Sequence, residues 1–179
     1  MNDNMRNNSA NMEPSRMELG LVAVIVYDGL SLFEYGCAVE VFGLPRPEMG
    51  EHWYRFASCA AEPGVLRGAG GIQLQPADGL ELLEQARTII VPGWRGMEAP
   101  VPEPLCEALR QAHARGARIL SICTGAFVLA AAGLLDGRRA TTHWRHAPAL
   151  AVRYPRVQVQ ADVLYVDVGS ILTSAGSAA

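Results

Sequence analysis

The sequence predicts an α/β domain, built on a mainly parallel β-sheet that is covered by helices on both faces. Short apolar runs of strand length alternate along the chain with segments of helical periodicity, which is the order typical of such sheets. Residues 19–26 form a continuous apolar run, as expected for a strand buried on both sides. Residues 118–122 form another, which passes directly into a helix through Cys123. This alternation favours parallel pairing of the strands.

Hydrophobic periodicity and turn residues place the individual elements. Apolar runs that end at Gly, Pro or Asp predict strands, and apolar residues that recur on one face predict helices. The predicted helix over 102–115 carries Leu105, Leu109 and Ala112 on one face and ends at Gly116. The predicted strands are 19–26, 54–60, 88–91, 118–122, 157–159, 163–167 and 171–174; the predicted helices are 31–42, 102–115, 126–132 and 146–154. The glycine-interrupted residues 64–75 predict a loose strand–turn–strand excursion.

Length and composition indicate one globular domain. The chain has 179 residues, half of them hydrophobic, and a formal net charge of −3. Residues 1–18 predict a disordered N-terminal tail because they are rich in Asn, Met and Ser, and the domain is expected over 19–179. The small residues of 173–179 resemble the entry to a further helix, so we expect that the chain is truncated there.

Several classes of function are disfavoured. The apolar runs are too short to cross a membrane and the N-terminus does not resemble an export signal, so we expect a cytoplasmic protein without a membrane partner. This segment has no long run of basic residues, so the sequence does not indicate a surface that binds nucleic acid. The four cysteines lie far apart without a CxxC pair, which predicts free thiols and argues against a metal site; they are Cys37, Cys59, Cys106 and Cys123. We expect no cofactor.

Cys123 is the strongest candidate for chemistry. A strand that turns sharply into a helix forms a nucleophile elbow, in which the amide of the next residue, Thr124, can stabilise an oxyanion. The positive end of the new helix is expected to lower the thiol pKa. Ser121 stands where the usual elbow has glycine, and it is small enough to fit. The alternative is that Cys123 is simply a small buried core residue.

Glu34 supports two interpretations. It follows Ser31 by three positions before an apolar stretch, the pattern of a capping box, in which the carboxylate would serve only its own helix. The other interpretation is that the carboxyl group reaches across the crevice to Cys123 and sets the protonation state of the thiol.

His143 and the neighbouring crevice residues complete the candidate site. His143 could act as a base or orient Cys123, or its Thr-Thr-His-Trp segment could be purely structural. Because ligands bind at the carboxyl ends of parallel strands, Gly93 is expected there, where it would offer a second amide to the thiol. Trp94 and Trp144 are expected to line the pocket. The alternative is that they are ordinary, partly buried tryptophans.

From residue 19 to 179 the chain resembles the ThiJ/PfpI superfamily of class I glutamine-amidotransferase-like domains. The motifs that carry the resemblance are, in chain order, Tyr27-Asp28-Gly29, Glu34 on the next helix, Val91-Pro92-Gly93, the Cys123 elbow and Thr141-Thr142-His143-Trp144. The resemblance implies a flavodoxin-like three-layer sandwich that commonly dimerises. It also implies that Cys123, Glu34 and His143 form the site.

Within this superfamily, two subfamilies resemble the chain most. Protease-like members have histidine immediately after the cysteine, where this chain has Thr124. Isocyanide hydratases share Cys-Thr-Gly and Thr-Thr-His-Trp but usually have aspartate where Glu34 stands. Residues 33–36, 39–43, 130–142 and 173–179 are most similar to the N-terminal domains of AraC-family transcriptional regulators.

The resemblance to AraC-family regulators implies a ligand- or redox-sensing domain that binds a small molecule. DNA would then be bound only by a C-terminal helix-turn-helix domain beyond this chain. The alternative is a cysteine-dependent small-molecule enzyme, such as an isocyanide hydratase or a glyoxalase-type lyase. The longer carboxylate of Glu34 favours the regulator over the enzyme.

Overall fold

A six-stranded sheet forms the centre of the molecule. The computed structural model describes residues 19–176, so the tail predicted over 1–18 and the last three residues lie outside the described part. The strands of the sheet are β1 Leu21–Val26, β2 Arg55–Ala60, β5 Ala86–Pro92, β6 Arg118–Ile122, β9 Tyr165–Asp167 and β10 Ile171–Ser174. Across the sheet they are ordered β2-β1-β5-β6-β10-β9.

Five of the six strands run parallel, and only the edge strand β9 is antiparallel to its neighbour β10. All six residues of β1 are buried, which explains its unbroken run of apolar side chains. After β1 the chain adds β2 on one side of it. The later strand β5 pairs with the other side of β1, and β6 follows beyond β5 in that direction. The carboxyl ends of β1 and β5 therefore flank the switch point at which such sheets bind ligands.

Helices cover both faces of the sheet. They are α1 Leu32–Ala38, α2 Glu103–Ala114, α3 Gly125–Ala131 and α4 Ala147–Arg153; a π-helical turn, Val39–Gly43, follows α1, and 3₁₀ turns occupy Pro47–His52, Ala69–Gly71, Leu80–Glu84 and Trp144–His146. A large core on one face includes Leu105, Leu109 and Phe127, and a smaller one on the other includes Val24 and Ile90. The predicted α/β sandwich is confirmed.

Two details differ from the sequence-based prediction. The strand predicted at 157–159 is β8 Gln158–Val159, which pairs with β7 Arg139–Ala140 in a separate two-stranded sheet instead of joining the central one. The helix predicted over 31–42 is an α-helix that becomes a π-helical turn after Ala38. The excursion at 64–75 is confirmed as the antiparallel pair β3 Leu66–Arg67 and β4 Gln73–Leu74.

Candidate functional site

Cys123 lies at the predicted elbow, between the end of β6 and the start of α3. Its φ is 55°, and it is the only non-glycine residue within 19–176 with a positive φ. This left-handed conformation is unfavourable for a side chain with Cβ, so it persists only where the surroundings hold it. The Cys123 N–H donates to the Ser174 carbonyl over 3.0 Å, and the Thr142 hydroxyl donates to the Cys123 carbonyl over 2.7 Å. The backbone of the elbow is therefore fixed on both sides.

Small and polar residues after Cys123 fasten the elbow to the neighbouring strand. A Cβ at Gly125 would lie 2.3 Å from the Val91 carbonyl oxygen, so only glycine allows α3 to start this close to β5. The Thr124 hydroxyl donates to the Trp94 carbonyl over 3.2 Å and accepts the Trp94 N–H over 2.9 Å. These contacts explain the Thr-Gly pair.

The environment of the Cys123 thiol raises its pKa, so the expected lowering is wrong. Burial is the main cause, and the negative charge of Glu34 adds to it. The amide and hydroxyl of Thr124 act in the opposite direction but do not outweigh burial. The helix α3 has only seven residues, so its dipole stabilises a thiolate at its N-terminus only weakly. The thiol is therefore favoured over the thiolate at neutral pH.

Glu34 lies on the first turn of α1. Its side chain is half-buried, and its carboxylate accepts a hydrogen bond from the Ser31 hydroxyl. The Ser31 side chain accepts no N–H from its own helix, so a reciprocal capping box is not formed. The charge of Glu34 acts on the thiol of Cys123 and on the phenol of Tyr27. The carboxylate thus influences the elbow while it stays anchored to its own helix.

Tyr27 lies directly after β1, close to Gly93, and was not among the predicted site residues. It is fully buried, its hydroxyl donates to the Pro92 carbonyl over 3.1 Å, and burial raises its pKa. A Cβ at Gly93 would lie 3.0 Å from the Tyr27 hydroxyl. The signals in the sequence were an aromatic residue at the carboxyl end of the first strand and its place in the Tyr27-Asp28-Gly29 motif.

Gly93 and Trp94 lie beside the elbow, but their contacts differ from those expected. Gly93 has a φ of 91°, and its N–H donates to the Val91 carbonyl over 3.0 Å. That amide is therefore already bonded within its own turn. Trp94 is only 5% exposed and packs against Tyr27, with 4.8 Å between the ring centroids. Its ring thus contributes to the core, and the guanidinium of Arg95 lies 4.5 Å from it.

His143 and Trp144 lie on the segment that follows Thr142. The Nδ1 atom of His143 accepts the Arg145 N–H over 3.2 Å, which caps the 3₁₀ turn Trp144–His146. Trp144 is 64% exposed, and its ring stacks on His143 at 5.6 Å. Within residues 19–176 no hydrogen bond joins the imidazole of His143 to Cys123. The negative charge of Glu34 therefore acts on the thiol, whereas His143 caps its own turn.

Three buried polar atoms near the site have no hydrogen-bond partner in the described part of the chain. They are Ser121 Oγ, two residues before the elbow, Arg95 Nε, next to Trp94, and His146 Nδ1. Burial, together with the neighbouring His143 and Arg145, lowers the pKa of His146. Over the same residues, no group of three or more His, Cys, Asp or Glu side chains could hold a metal ion, and no helix has the length and hydropathy of a bilayer span.

Known proteins with similar sequences include regulators and an enzyme. The chain is 40% identical over 136 residues to a Streptomyces lividans protein described as uncharacterized in the cpoL 5′ region, covering 75% of this chain and 94% of that one. It is 35% identical over 156 residues to the HTH-type transcriptional regulator CdhR of Pseudomonas aeruginosa, covering 87% and 46%. It is 40% identical over 77 residues to the isonitrile hydratase of Pseudomonas putida, covering 42% and 34%. The chain spans about half the length of the curated regulators it matches, 43% to 49% in the longest alignments.

The fold is shared with solved structures and with a known family. An AraC family transcriptional regulator from Pseudomonas putida superposes with a TM-score of 0.70 at 19% identity, covering 88% of this chain and 84% of that one. At this identity the likeness establishes the fold alone. The sequence model of the DJ-1/PfpI family matches residues 21–179. The chain therefore belongs to the DJ-1/PfpI family.

Proposed function

We propose that this chain is the sensing domain of an AraC-family transcriptional regulator. The observation that carries the proposal is the 35% identity to CdhR over 87% of this chain, confined to less than half of that regulator. The remainder of such a protein would hold the helix-turn-helix domain that binds DNA. The domain over 19–179 would then bind a small molecule in the cytoplasm and act as a homodimer.

The chemistry of the elbow supports sensing over turnover. A nucleophilic cysteine needs a lowered pKa or a base within hydrogen-bond reach. Here the pKa of the Cys123 thiol is raised, and the imidazole of His143 is hydrogen-bonded to its own turn. An elbow of this kind can still present a polar group to a ligand.

Within this proposal, Cys123, Glu34 and Thr124 contact the ligand. The negative charge of Glu34 acts on the Cys123 thiol, and Thr124 is hydrogen-bonded to the backbone of Trp94 beside the elbow. Gly93 and the buried Trp94 would support the site, and His143 with Trp144 would form its outer part. The exposed ring of Trp144 is available to cover a bound ligand.

A cysteine-dependent hydratase is the second candidate. The match to the isonitrile hydratase favours it, because 40% identity over 77 residues exceeds the identity to CdhR, although over a shorter segment. In that case Cys123 would attack the substrate and Glu34 would move the proton.

The experiment that tests the regulator proposal is to sequence the genomic locus beyond codon 179. About a hundred further codons with two helix-turn-helix patterns would support it. A stop codon directly after codon 179 would overturn it. As a control, residues 1–179 alone are expected to show no sequence-selective DNA binding in a mobility-shift assay at physiological salt.

A further inference from the structure

The elbow is held by hydrogen bonds from two separate segments. The Thr142 hydroxyl, in a fully buried side chain, donates to the Cys123 carbonyl over 2.7 Å. On the other side, the Cys123 N–H donates to the Ser174 carbonyl at the end of β10 over 3.0 Å. The two peptide groups that flank the Cys123 Cα are therefore bonded to different parts of the chain.

These two segments also contact each other. The Thr141 N–H donates to the Thr173 hydroxyl over 2.8 Å, and both side chains are buried. A Cβ at Gly176 would lie 3.9 Å from Cδ2 of His143. The elbow, the segment 141–143 and the end of β10 thus form a closed hydrogen-bonded ring.

The left-handed backbone at Cys123 makes this ring sensitive to change. A rotation of φ turns the peptide that carries the Cys123 N–H, and a rotation of ψ turns the peptide that carries its carbonyl. Either rotation lengthens a bond to Ser174 or to Thr142. Because the left-handed conformation is unfavourable for cysteine, a group added to the sulfur that disfavours it further would relax through one of these bonds.

We propose that Thr142 is the positioning residue of the elbow. Because its hydroxyl holds the Cys123 carbonyl, a change at the Cys123 sulfur is relieved on the N–H side and reaches residues 174–176 through the hydrogen bond from the Cys123 N–H to Ser174. Without the Thr142 hydroxyl, the peptide that carries the carbonyl rotates instead and the bond to Ser174 is spared. A regulatory role for this coupling rests on the proposed function, in which a DNA-binding domain follows residue 179. The coupling itself is a property of the described domain and needs neither DNA nor an effector to be measured.

The test compares hydrogen exchange before and after Cys123 is alkylated with iodoacetamide. The thiolate sulfur forms a bond to the acetamide carbon, iodide leaves, and the thiol proton passes to the buffer. A Cys37→Ser background removes the other half-buried thiol, since Cys59 and Cys106 are buried. The reporter is the amide of Ala175, which donates to the Leu164 carbonyl over 2.8 Å. Alkylation is expected to speed its exchange about fivefold or more, as for the loss of one hydrogen bond.

Variants of Thr142 separate coupling from direct contact with the adduct. In Thr142→Val the Ala175 amide should no longer respond to alkylation, and Thr142→Ser, which keeps the hydroxyl, should restore the response. Unchanged exchange at Ala175 after alkylation, or a full response in Thr142→Val, would overturn the proposal. The amides of β1 report whether each variant is folded.

Thr173→Val is a second variant in case Thr142→Val does not fold. It removes the acceptor that joins the Thr141 amide to β10, and it should weaken the response of Ala175. A full response in Thr173→Val would show that the adduct reaches β10 without the ring. Failure of this experiment would leave the regulator proposal standing, and a stop codon after codon 179 would leave the coupling standing.

Discussion

Gly125 offers the sharpest test of how the elbow is built. Ordinary van der Waals contact begins at 3.4 Å, whereas a Cβ at Gly125 would lie 2.3 Å from the Val91 carbonyl oxygen. In Gly125→Ala the start of α3 must therefore move by about 1 Å away from β5. The nearest atoms that this Cβ would meet, the Val91 carbonyl oxygen and the Gly93 nitrogen, belong to the backbone, so no flexible side chain can absorb the shift.

The expected cost follows from two contributions. Overpacking of this kind costs about 1–3 kcal/mol. The shift also strains the two hydrogen bonds between Thr124 and the backbone of Trp94, each of which contributes about 1 kcal/mol. We expect Gly125→Ala to lower the free energy of unfolding by about 3 kcal/mol or more, and the melting temperature by about 10 °C. Urea and thermal unfolding followed by circular dichroism measure both.

Gly36→Ala is the matched control. Gly36 lies within α1, and a Cβ there would meet nothing within 4 Å. Alanine favours the helix by up to about 1 kcal/mol, so this variant should be unchanged or slightly more stable than the natural protein. If Gly125→Ala and Gly36→Ala unfold at the same urea concentration, the close approach of α3 to β5 is refuted.

Three further predictions concern buried and titrating groups at the site. Ser121→Ala should raise the free energy of unfolding by about 1 kcal/mol in urea titrations, because it removes a buried hydroxyl that has no partner among residues 19–176; a destabilised variant would mean that the hydroxyl is bonded. Glu34→Gln removes a charge that raises the pKa of Cys123, so iodoacetamide should alkylate Cys123 faster at neutral pH, as followed by mass spectrometry; exposed Glu40→Gln is the control, and equal rates in both variants would contradict the effect. The pKa of His146 is lowered in the folded state, so its contribution to stability is present above about pH 6.5 and is lost on acidification. In His146→Gln, unfolding followed across that range should depend less on pH, and an unchanged pH profile would exclude His146 as the cause.

The elbow and the sheet could be predicted because their signals are local. The apolar run before Cys123 and the small residues after it are contiguous, and a sharp strand-to-helix turn requires both. All six central strands were likewise predicted. Strand β8 was predicted at 157–159, but β7 and its pairing with β8 were not, because a strand of two residues carries no period and the pairing joins segments nineteen positions apart, as Arg139 and Gln158 show.

The electrostatics of the site could not be predicted from the sequence. The direction of the Cys123 pKa depends on how deeply the sulfur is buried and on the charge of Glu34, which packing across the sheet brings close. The bond from Thr142 to the Cys123 carbonyl likewise joins residues from different segments. The sequence raised the option that these threonines fix their loop, but it could not identify the elbow as their partner.

Turnover of an isonitrile by residues 1–179 distinguishes a sensing domain from a cysteine-dependent enzyme. The protein is incubated with a large molar excess of the substrate, and product is counted per mole of protein, with Cys123→Ala as the control. A sensing domain is expected to form at most one equivalent of product, because the Cys123 thiol has a raised pKa and no hydrogen bond to a base within residues 19–176. Many equivalents of product, lost in Cys123→Ala, would contradict a sensing domain and identify a cysteine-dependent enzyme.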